Sequence, residues 1–334
     1  MPALEEQDLK EKGHDLKIFE HFQWRNYNVA DLGCEELKEL REILPGATEW
    51  LDKLPNLETN YISARTVAGG KQVLFGSILY TIKKDIGEEG VESQFYFYVE
   101  QGELVTLNID EGTRKMLYSK ERLMILSEAD DAVSGLFVMA RTLLHYFHIG
   151  MDEFELNLRK LEKSMEERNA RTLMDKILNA RFELLFWSNQ FISFQELMHA
   201  ANEAFYELDL EQRKTYKKLY YRMKRMDSLF THYEKEIDTL ISIDNASSSI
   251  RGNDIMKTLT IVTSVFTPAT AVGAIWGMNF ENLPWIKTAW GFTVTITATL
   301  FSMVSMYLWM YMKGWTGDIL KIKNDKAQKN KNTK

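Results

Sequence analysis

Short hydroxyl and small side chains recur every three or four residues toward the C-terminal end of the sequence. They are Thr260, Thr263, Thr267, Thr270, Ala274 and Gly277. This spacing places all of them on one face of a helix, which we call the hydroxyl face. Inside a membrane, such a face either lets another helix approach closely or lines a water-filled path for ions with oxygen atoms. Close helix packing is the commoner of these two uses.

The hydroxyl face lies on the first of two apolar segments, which we call arms. No charged residue occurs from Leu259 to Trp276 or from Thr288 to Met312. Each arm approaches the roughly 20 apolar residues that cross a hydrocarbon core about 30 Å thick. Tryptophan and lysine residues stand at the ends of the arms, where they favour the membrane interface. The sequence predicts two transmembrane helices, about 256–277 and 289–312, joined by an outer loop, 278–288. A hairpin buried in a soluble domain is the weaker alternative.

Charge and cysteine content predict where the two ends of the chain lie. The 334 residues carry a net charge of -7, yet the tail 313–334 carries seven lysines against two aspartates. A basic tail directly after a span predicts a cytoplasmic C-terminus, and it fits lipid headgroups better than nucleic acid. No signal peptide is evident, and the single Cys34 fits a reducing compartment. We expect a multi-pass protein of the cell (inner or plasma) membrane with both termini cytoplasmic.

Strand and helix patterns alternate in the first part of the chain. Residues 1 to about 16 are charged and aperiodic, and we expect them to be mobile. Strands are predicted within 17–30, 61–67, 73–83, 94–99 and 104–109, and helices within 34–53 and 130–148. Residues 1–150 are therefore predicted to form a cytoplasmic α/β domain. The pattern does not predict the order of its strands.

Strand signals stop after about Asp152, and helical patterns continue to the membrane. Apolar residues at steps of three and four form a seam at Leu219, Met223, Met226, Phe230, Tyr233, Ile237 and Ile241. We predict one helix from about Glu211 to Trp276, roughly 100 Å long at 1.5 Å per residue. Such a helix would carry movement from the long-helix region 151–255 to the membrane. The alternative is a break at Asn245 to Ser249 and Gly252, where helix propensity is weak.

No motif of an enzyme competes with these features. The sequence has no G-x-x-x-x-G-K-[ST] loop for a nucleotide, so ATP-driven pumping by this chain is not expected. His145 and His148 lie three residues apart on a predicted helix and could bind zinc with nearby acids. Beside Leu144 and Phe147, they are better interpreted as packed or surface histidines. We predict that the protein is not an enzyme.

The motif that decides the interpretation is Gly277-Met278-Asn279, at the end of the hydroxyl face. It is preceded by Met256-Lys257, Leu259-Thr260 and Pro268, and followed by a short loop to Pro284. Over this segment the chain resembles the CorA family of divalent-cation channels, which carries Gly-Met-Asn at the end of the first of two C-terminal spans. The order of an α/β domain, long helices and a two-helix hairpin also resembles that family. The predicted fold class is this arrangement, mostly α overall.

The resemblance implies a homopentamer whose first spans surround a pore and whose second spans face lipid. Asn279 would form a ring of amide oxygens at the outer mouth, with Gly277 and Met278 shaping the turn and Glu281 attracting cations. A ring of amide oxygens suits Mg²⁺, because this ion sheds its water reluctantly and is best bound by hydrogen bonds from that water to the amides. The pore-lining residues would be Met256, Thr260, Thr263, Thr267, Thr270 and Ala274, with Met256 as an apolar gate.

The function implied by the resemblance is a passive channel, driven by the membrane potential, for Mg²⁺ and also Co²⁺ or Ni²⁺. Mg²⁺ would be both the transported and the regulatory ion. The expected partners are further copies of the chain, the membrane and divalent cations, but no nucleic acid.

Two alternatives remain. Trp285 and Ile286 stand where many family members carry a second acid after the loop proline, and Lys287 offsets Glu281. This weaker acidic loop keeps open the zinc-transporting branch of the superfamily. The other alternative is a membrane-anchored regulator that conducts nothing and would tolerate valine or leucine on the hydroxyl face.

Overall fold

The computed structural model describes residues 9–11, 14–29, 35–67, 69–83, 87–166, 173–278 and 288–316. The chain divides into two compact units, Met1–Leu240 and Ile241–Lys334. The first unit is built on a mixed sheet, and the second holds the two apolar helices predicted from the sequence.

A seven-stranded sheet forms the centre of the first unit. Its strands are β1 (Leu9–Glu11), β2 (His14–Ile18), β3 (Gln23–Tyr27), β4 (Tyr61–Thr66), β5 (Gln72–Ile82), β6 (Val91–Glu100) and β7 (Glu103–Leu107). Across the sheet the order is β1-β2-β3-β7-β6-β5-β4. The β3–β7 pair is parallel, and the other neighbouring pairs are antiparallel. The strands predicted from 61 to 109 are confirmed, with ends that differ by no more than a few residues, as is the hairpin at Gln101-Gly102.

The expectation that the first 16 residues lack order is wrong for the part of them that the structure describes. β1 and β2 pair there, with Leu9 opposite Leu16, and β2 pairs in turn with β3. These strands lie at the edge of the sheet, where charged side chains are common because they protect an open edge. Their order therefore comes from backbone pairing, of β1 with β2 and of β2 with β3, and not from an apolar period of their own.

Helices cover both faces of the sheet. On one face, α1 (Glu35–Ile43) and α2 (Thr48–Lys53) are separated by a 3₁₀ turn at Pro45–Ala47, as the Pro45-Gly46 interruption predicts. Their buried side chains form one core with residues of the sheet, in which the rings of Trp50 and Tyr98 lie 5.8 Å apart. Burial of these apolar surfaces provides the main stabilisation of this layer.

The other helices of the first unit are α3 (Glu111–Leu117), α4 (Lys120–Ser127), α5 (Ala132–Glu166) and α6 (Leu173–Ala204). α5 packs on the other face of the sheet and extends beyond its predicted end at 148, because buried Phe154, Leu158 and Leu161 continue its apolar face. It also runs through residue 150, the predicted end of the α/β domain. α6 joins the edge of β5: the side chain of Gln190 accepts from the Thr81 N–H at 3.0 Å and donates to the Thr81 hydroxyl at 2.7 Å.

One helix, α7, runs from Lys214 to Trp276 and contains 63 residues. Asn245 to Ser249 and Gly252 lie within it, so the prediction of a continuous helix is confirmed and the alternative, a break there, is wrong. In the first unit, the apolar seam is buried from Leu219 to Ile237, and Leu240 is buried in place of Ile241.

The second unit contains the end of α7 and the helix α8 (Ala289–Met312). Segments of Lys214–Trp276 and Trp290–Met312 are long and apolar enough to cross a membrane. The predicted fold class is confirmed: an α/β domain, long helices and a pair of C-terminal membrane helices.

Gly150→Ala is expected to lower the free energy of unfolding by about 1–3 kcal/mol, as overpacking does. A Cβ atom at this position on α5 would lie 2.3 Å from the ring of Trp187 on α6, which is buried. Gly252→Ala is the matched control on α7, where a Cβ meets nothing within 4 Å and alanine should stabilise the helix by about 0.5–1 kcal/mol. Chemical unfolding of the detergent-solubilised chain, followed by near-ultraviolet circular dichroism, measures both. Equal midpoints would contradict this packing.

Candidate functional site

The hydroxyl face lies on the last third of α7. At about 100° per residue, its members fall within an arc of roughly 100°, and Met256 lies on the same line one turn earlier. All of these residues are exposed in the chain, and Met256 is 60% exposed. Val262, Phe266 and Ala271 border members of the face on the same open surface of α7. The structure therefore brings the predicted pore-lining residues together along one open surface.

The opposite side of this part of α7 is partly covered. Its half-buried residues are Ile261, Ser264, Val265, Pro268, Ala269, Val272 and Trp276. The ring of Trp276 contacts Phe292 of α8, with their centroids 6.5 Å apart. Covered residues of α8 also follow a spacing of three and four: Gly291, Thr295, Thr299, Met303, Met306 and Met310. α8 thus lies against the side of α7 away from the hydroxyl face and leaves that face open.

Each threonine hydroxyl on the face donates its proton to the carbonyl of the preceding helical turn. The Oγ1–O distances are 2.8 Å for Thr260, 2.9 Å for Thr263, 2.7 Å for Thr267 and 3.1 Å for Thr270. A hydroxyl has one proton and two lone pairs, so these oxygens present only lone pairs to their surroundings. Oxygen acceptors of this kind suit hard divalent cations and the water that such cations carry.

The Gly-Met-Asn motif begins where α7 ends. The Gly277 N–H donates to the Gly273 carbonyl at 2.9 Å, and the Met278 N–H to the Ile275 carbonyl at 3.4 Å. The Met278 side chain is 48% exposed. Asn279 and Glu281 lie outside the described residues, and their roles at the outer mouth stay predictions.

His145 and His148 lie on α5, away from the hydroxyl face in sequence. The Nε2 atom of His148 accepts a hydrogen bond from Nε of Arg222 at 3.1 Å, so this nitrogen carries no proton. In the part of the chain that the structure describes, no group of three or more histidine, cysteine, aspartate or glutamate side chains could hold a metal ion. The zinc interpretation of this pair therefore has no ligand set among the described residues.

Acidification is expected to destabilise the wild-type protein more than a His148→Gln variant. Burial first, then the charges of Arg222, Arg225 and His145, lower the pKa of His148 to about 4. An unfolded histidine titrates near pH 6.5, so the unfolded chain takes up this proton first as the pH falls. The stability that depends on neutral His148 is present above about pH 6.5 and is lost between that value and about pH 4. Unfolding midpoints of both proteins from pH 7.5 to 4.5 measure the difference, and parallel profiles would contradict it.

A family model described as a CorA-like Mg²⁺ transporter protein matches residues 27–313 of this chain. That match covers the sheet of the first unit from the end of β3, all the long helices and both membrane helices. The chain belongs to the CorA family. The predicted family is confirmed, and the chain is a divalent-cation transporter of this family.

Curated CorA relatives match over most of the chain. The magnesium transport protein CorA of Bacillus subtilis (strain 168) is 30% identical over 305 residues, which cover 90% of this chain and 95% of the relative. The cobalt/magnesium transport protein CorA of Methanocaldococcus jannaschii is 24% identical over 224 residues, covering 65% of this chain and 70% of the relative.

Solved structures show the same fold. The complete structure of the CorA magnesium transporter from Methanocaldococcus jannaschii aligns with a TM-score of 0.61 at 21% identity, covering 90% of this chain and 95% of that chain. The full-length CmaX protein aligns with a TM-score of 0.53 at 17% identity, covering 89% and 90%. At these identities the likeness concerns the CorA fold.

Proposed function

We propose that this CorA-family chain forms a passive channel through which the membrane potential drives divalent cations, Mg²⁺ foremost, into the cell. The observation that carries the proposal is the open hydroxyl face of α7, with its oxygen lone pairs turned outward. Polar groups inside a membrane are tolerated where they meet water or other polar groups. The similarity to the magnesium transport protein of Bacillus subtilis supports Mg²⁺ as the transported ion.

A pore requires several copies of the chain, because two spans cannot enclose one. We infer a homopentamer, the assembly that the family resemblance implies, with the hydroxyl faces turned toward a central axis. The position of α8 on the other side of α7 supports this arrangement. Six exposed residues of α8 are large and apolar, which suits lipid contact: Trp290, Phe292, Ile296, Leu300, Phe301 and Val304.

The proposed path has three levels: an outer mouth, a threonine-lined stretch and an apolar gate. Asn279 amides would hold the hydrated ion at the outer mouth, with Glu281 raising the local cation concentration. Threonine oxygens would follow along α7, and a ring of Met256 side chains would close the path by expelling water. With both termini in the cytoplasm, the Asn279 ring would face outward, and a resting potential that is negative inside favours cation entry by about 2.3 kcal/mol per charge per 100 mV. Regulation by cytoplasmic Mg²⁺ is part of the same proposal.

Uptake into proteoliposomes tests this function directly. Purified full-length protein is reconstituted with a magnesium-sensitive dye inside, and a potassium gradient with valinomycin sets a negative interior. We expect Mg²⁺ entry without ATP, at a rate that rises with the imposed potential, and competition by Co²⁺ or Ni²⁺. Parallel vesicles with a zinc dye separate the branches: zinc entry without magnesium entry would move the protein to the zinc branch. If neither ion enters, the regulator hypothesis replaces the channel.

A further inference from the structure

Four arginines from three helices meet in the first unit, outside the proposed pore. They are Arg122 on α4, Arg141 on α5, and Arg222 and Arg225 on α7, and we call them the arginine cluster. Two hydrogen bonds fix its centre: Arg222 donates from Nη1 to the backbone carbonyl of Arg141 at 3.0 Å and from Nε to His148 at 3.1 Å. Arg222 is half-buried, whereas Arg225 is exposed beside it.

In the described part of the chain, no carboxylate forms an ion pair with a member of the arginine cluster. Six other described arginines are ion-paired, whereas Arg114 and Arg251 are not; the six are Arg25, Arg41, Arg65, Arg159, Arg181 and Arg213. A guanidinium has five N–H groups, and the two bonds of Arg222 leave three without a described partner. Burial and the charges of Arg141, Arg122 and Arg225 lower the pKa of Arg222 to about 10. Burial and the charge of Arg122 lower the pKa of Arg141, and the nearby carboxylate of Glu121 opposes this by raising it.

No nitrogen of Arg222 is both buried and without a partner, so its remaining N–H groups are open to a ligand. Like charges that lie close together repel one another, and a bound anion relieves that repulsion. We propose that the arginine cluster binds a phosphate-bearing anion, either inorganic phosphate or the phosphates of a nucleotide. Guanidinium groups match phosphate oxygens with paired, charge-assisted hydrogen bonds. Arg222 is already oriented by α5, so binding requires little further ordering of its side chain.

The position of Arg222 also indicates the size of the ligand. A flat protein surface would meet exposed Arg225 and His145 first, whereas Arg222 is half-buried and bonded to α5. A small anion can reach the free edge of its guanidinium. Neutral His148 contributes no positive charge, and its Nε2 atom holds Arg222 in place.

Equilibrium dialysis of the detergent-solubilised full-length protein in magnesium-free buffer tests the site, with radiolabelled inorganic phosphate in one arm and ATP in the other. We expect saturable binding that weakens at higher salt, as charge-assisted contacts do. Arg222→Gln should weaken it at least about tenfold, since a hydrogen bond to a charged group is removed. Arg181→Gln removes the same charge from an exposed, ion-paired site on α6 and should leave binding unchanged.

Arg225→Gln is the second variant, because its exposed side chain can be changed without affecting the core. It should weaken anion binding about threefold, as loss of an exposed charge does. Binding of ATP but not of phosphate would assign the site to nucleotides, and binding of both would assign it to a single phosphate group. Absence of saturable binding, or binding unaltered in both variants, would overturn the proposal. So would a smaller assembly in Arg225→Gln without anion binding, which would mark a contact between copies. None of these measurements depends on ion flux, so they are independent of the proposed channel.

Discussion

Asn279→Ala is expected to abolish potential-driven magnesium uptake, or to lower it at least about tenfold, in protein that still folds and assembles. In the proposed channel each amide oxygen accepts hydrogen bonds from the water that Mg²⁺ retains, and alanine offers no acceptor. Loss of one hydrogen bond to a charged partner alone corresponds to roughly 10- to 100-fold. Initial rates of the magnesium dye signal in proteoliposomes measure the effect.

Asn282→Ala is the matched control, since it removes the same amide three residues later in the same loop. Its uptake should stay within about twofold of wild type, because a substitution outside the proposed ring of Asn279 amides has little effect. Unaltered flux in Asn279→Ala would remove this residue from the mechanism. Equal losses in both variants would indicate a general effect on the loop and would contradict a specific role for Asn279.

Valine in place of Thr263, Thr267 and Thr270 together is expected to lower magnesium uptake at least about tenfold. Valine has nearly the same shape as threonine but brings no oxygen, so an aqueous path lined by it tends to lose water. The substitutions remove only hydrogen bonds from threonine hydroxyls to the backbone. The backbone hydrogen bonds of α7 remain, so the helix should persist. Uptake rates at several imposed potentials measure the change, and circular dichroism checks the helix content.

Thr297→Val on α8 is the control for this change. Its hydroxyl makes the same bond to the preceding turn, to the Thr293 carbonyl at 2.8 Å, and its side chain is exposed. In the proposed channel it faces lipid, and uptake should be unchanged. Wild-type uptake in the triple variant would instead show that the hydroxyl face only packs against other helices, as the alternative interpretation holds.

Local patterns predict much of this fold. Charge-free arms predicted both membrane helices, and β-branched runs predicted β4 to β7 because these strands combine strand propensity with clear turn signals. The edge strands β1 and β2 were missed, since their order depends on pairing with β3. The strand order could not be predicted either, because the parallel β3–β7 pair joins Gln23 to Glu103 across a long stretch of sequence.

The candidate site divides in the same way. Spacing alone predicts that the threonines share a face, because helix geometry is local. The position of α8 opposite that face is a tertiary fact, which the sequence does not contain in any short pattern. The arginine cluster is predictable only in part. Arg141, His145 and His148 follow a helical spacing that is visible on α5, but Arg222 bonds to this helix from a distant part of the chain.

The inward hydrogen bonds of the threonines also bear on proton leakage. A hydroxyl can relay a proton only if it accepts one hydrogen bond and donates the next. Thr260, Thr263, Thr267 and Thr270 each use their donor on the backbone of α7. Water beside this row can donate to it but receives nothing back, so a hydrogen-bonded wire through the hydroxyls is interrupted at every turn. In the proposed channel, protons would therefore have to cross along the pore water alone, without help from the threonine hydroxyls.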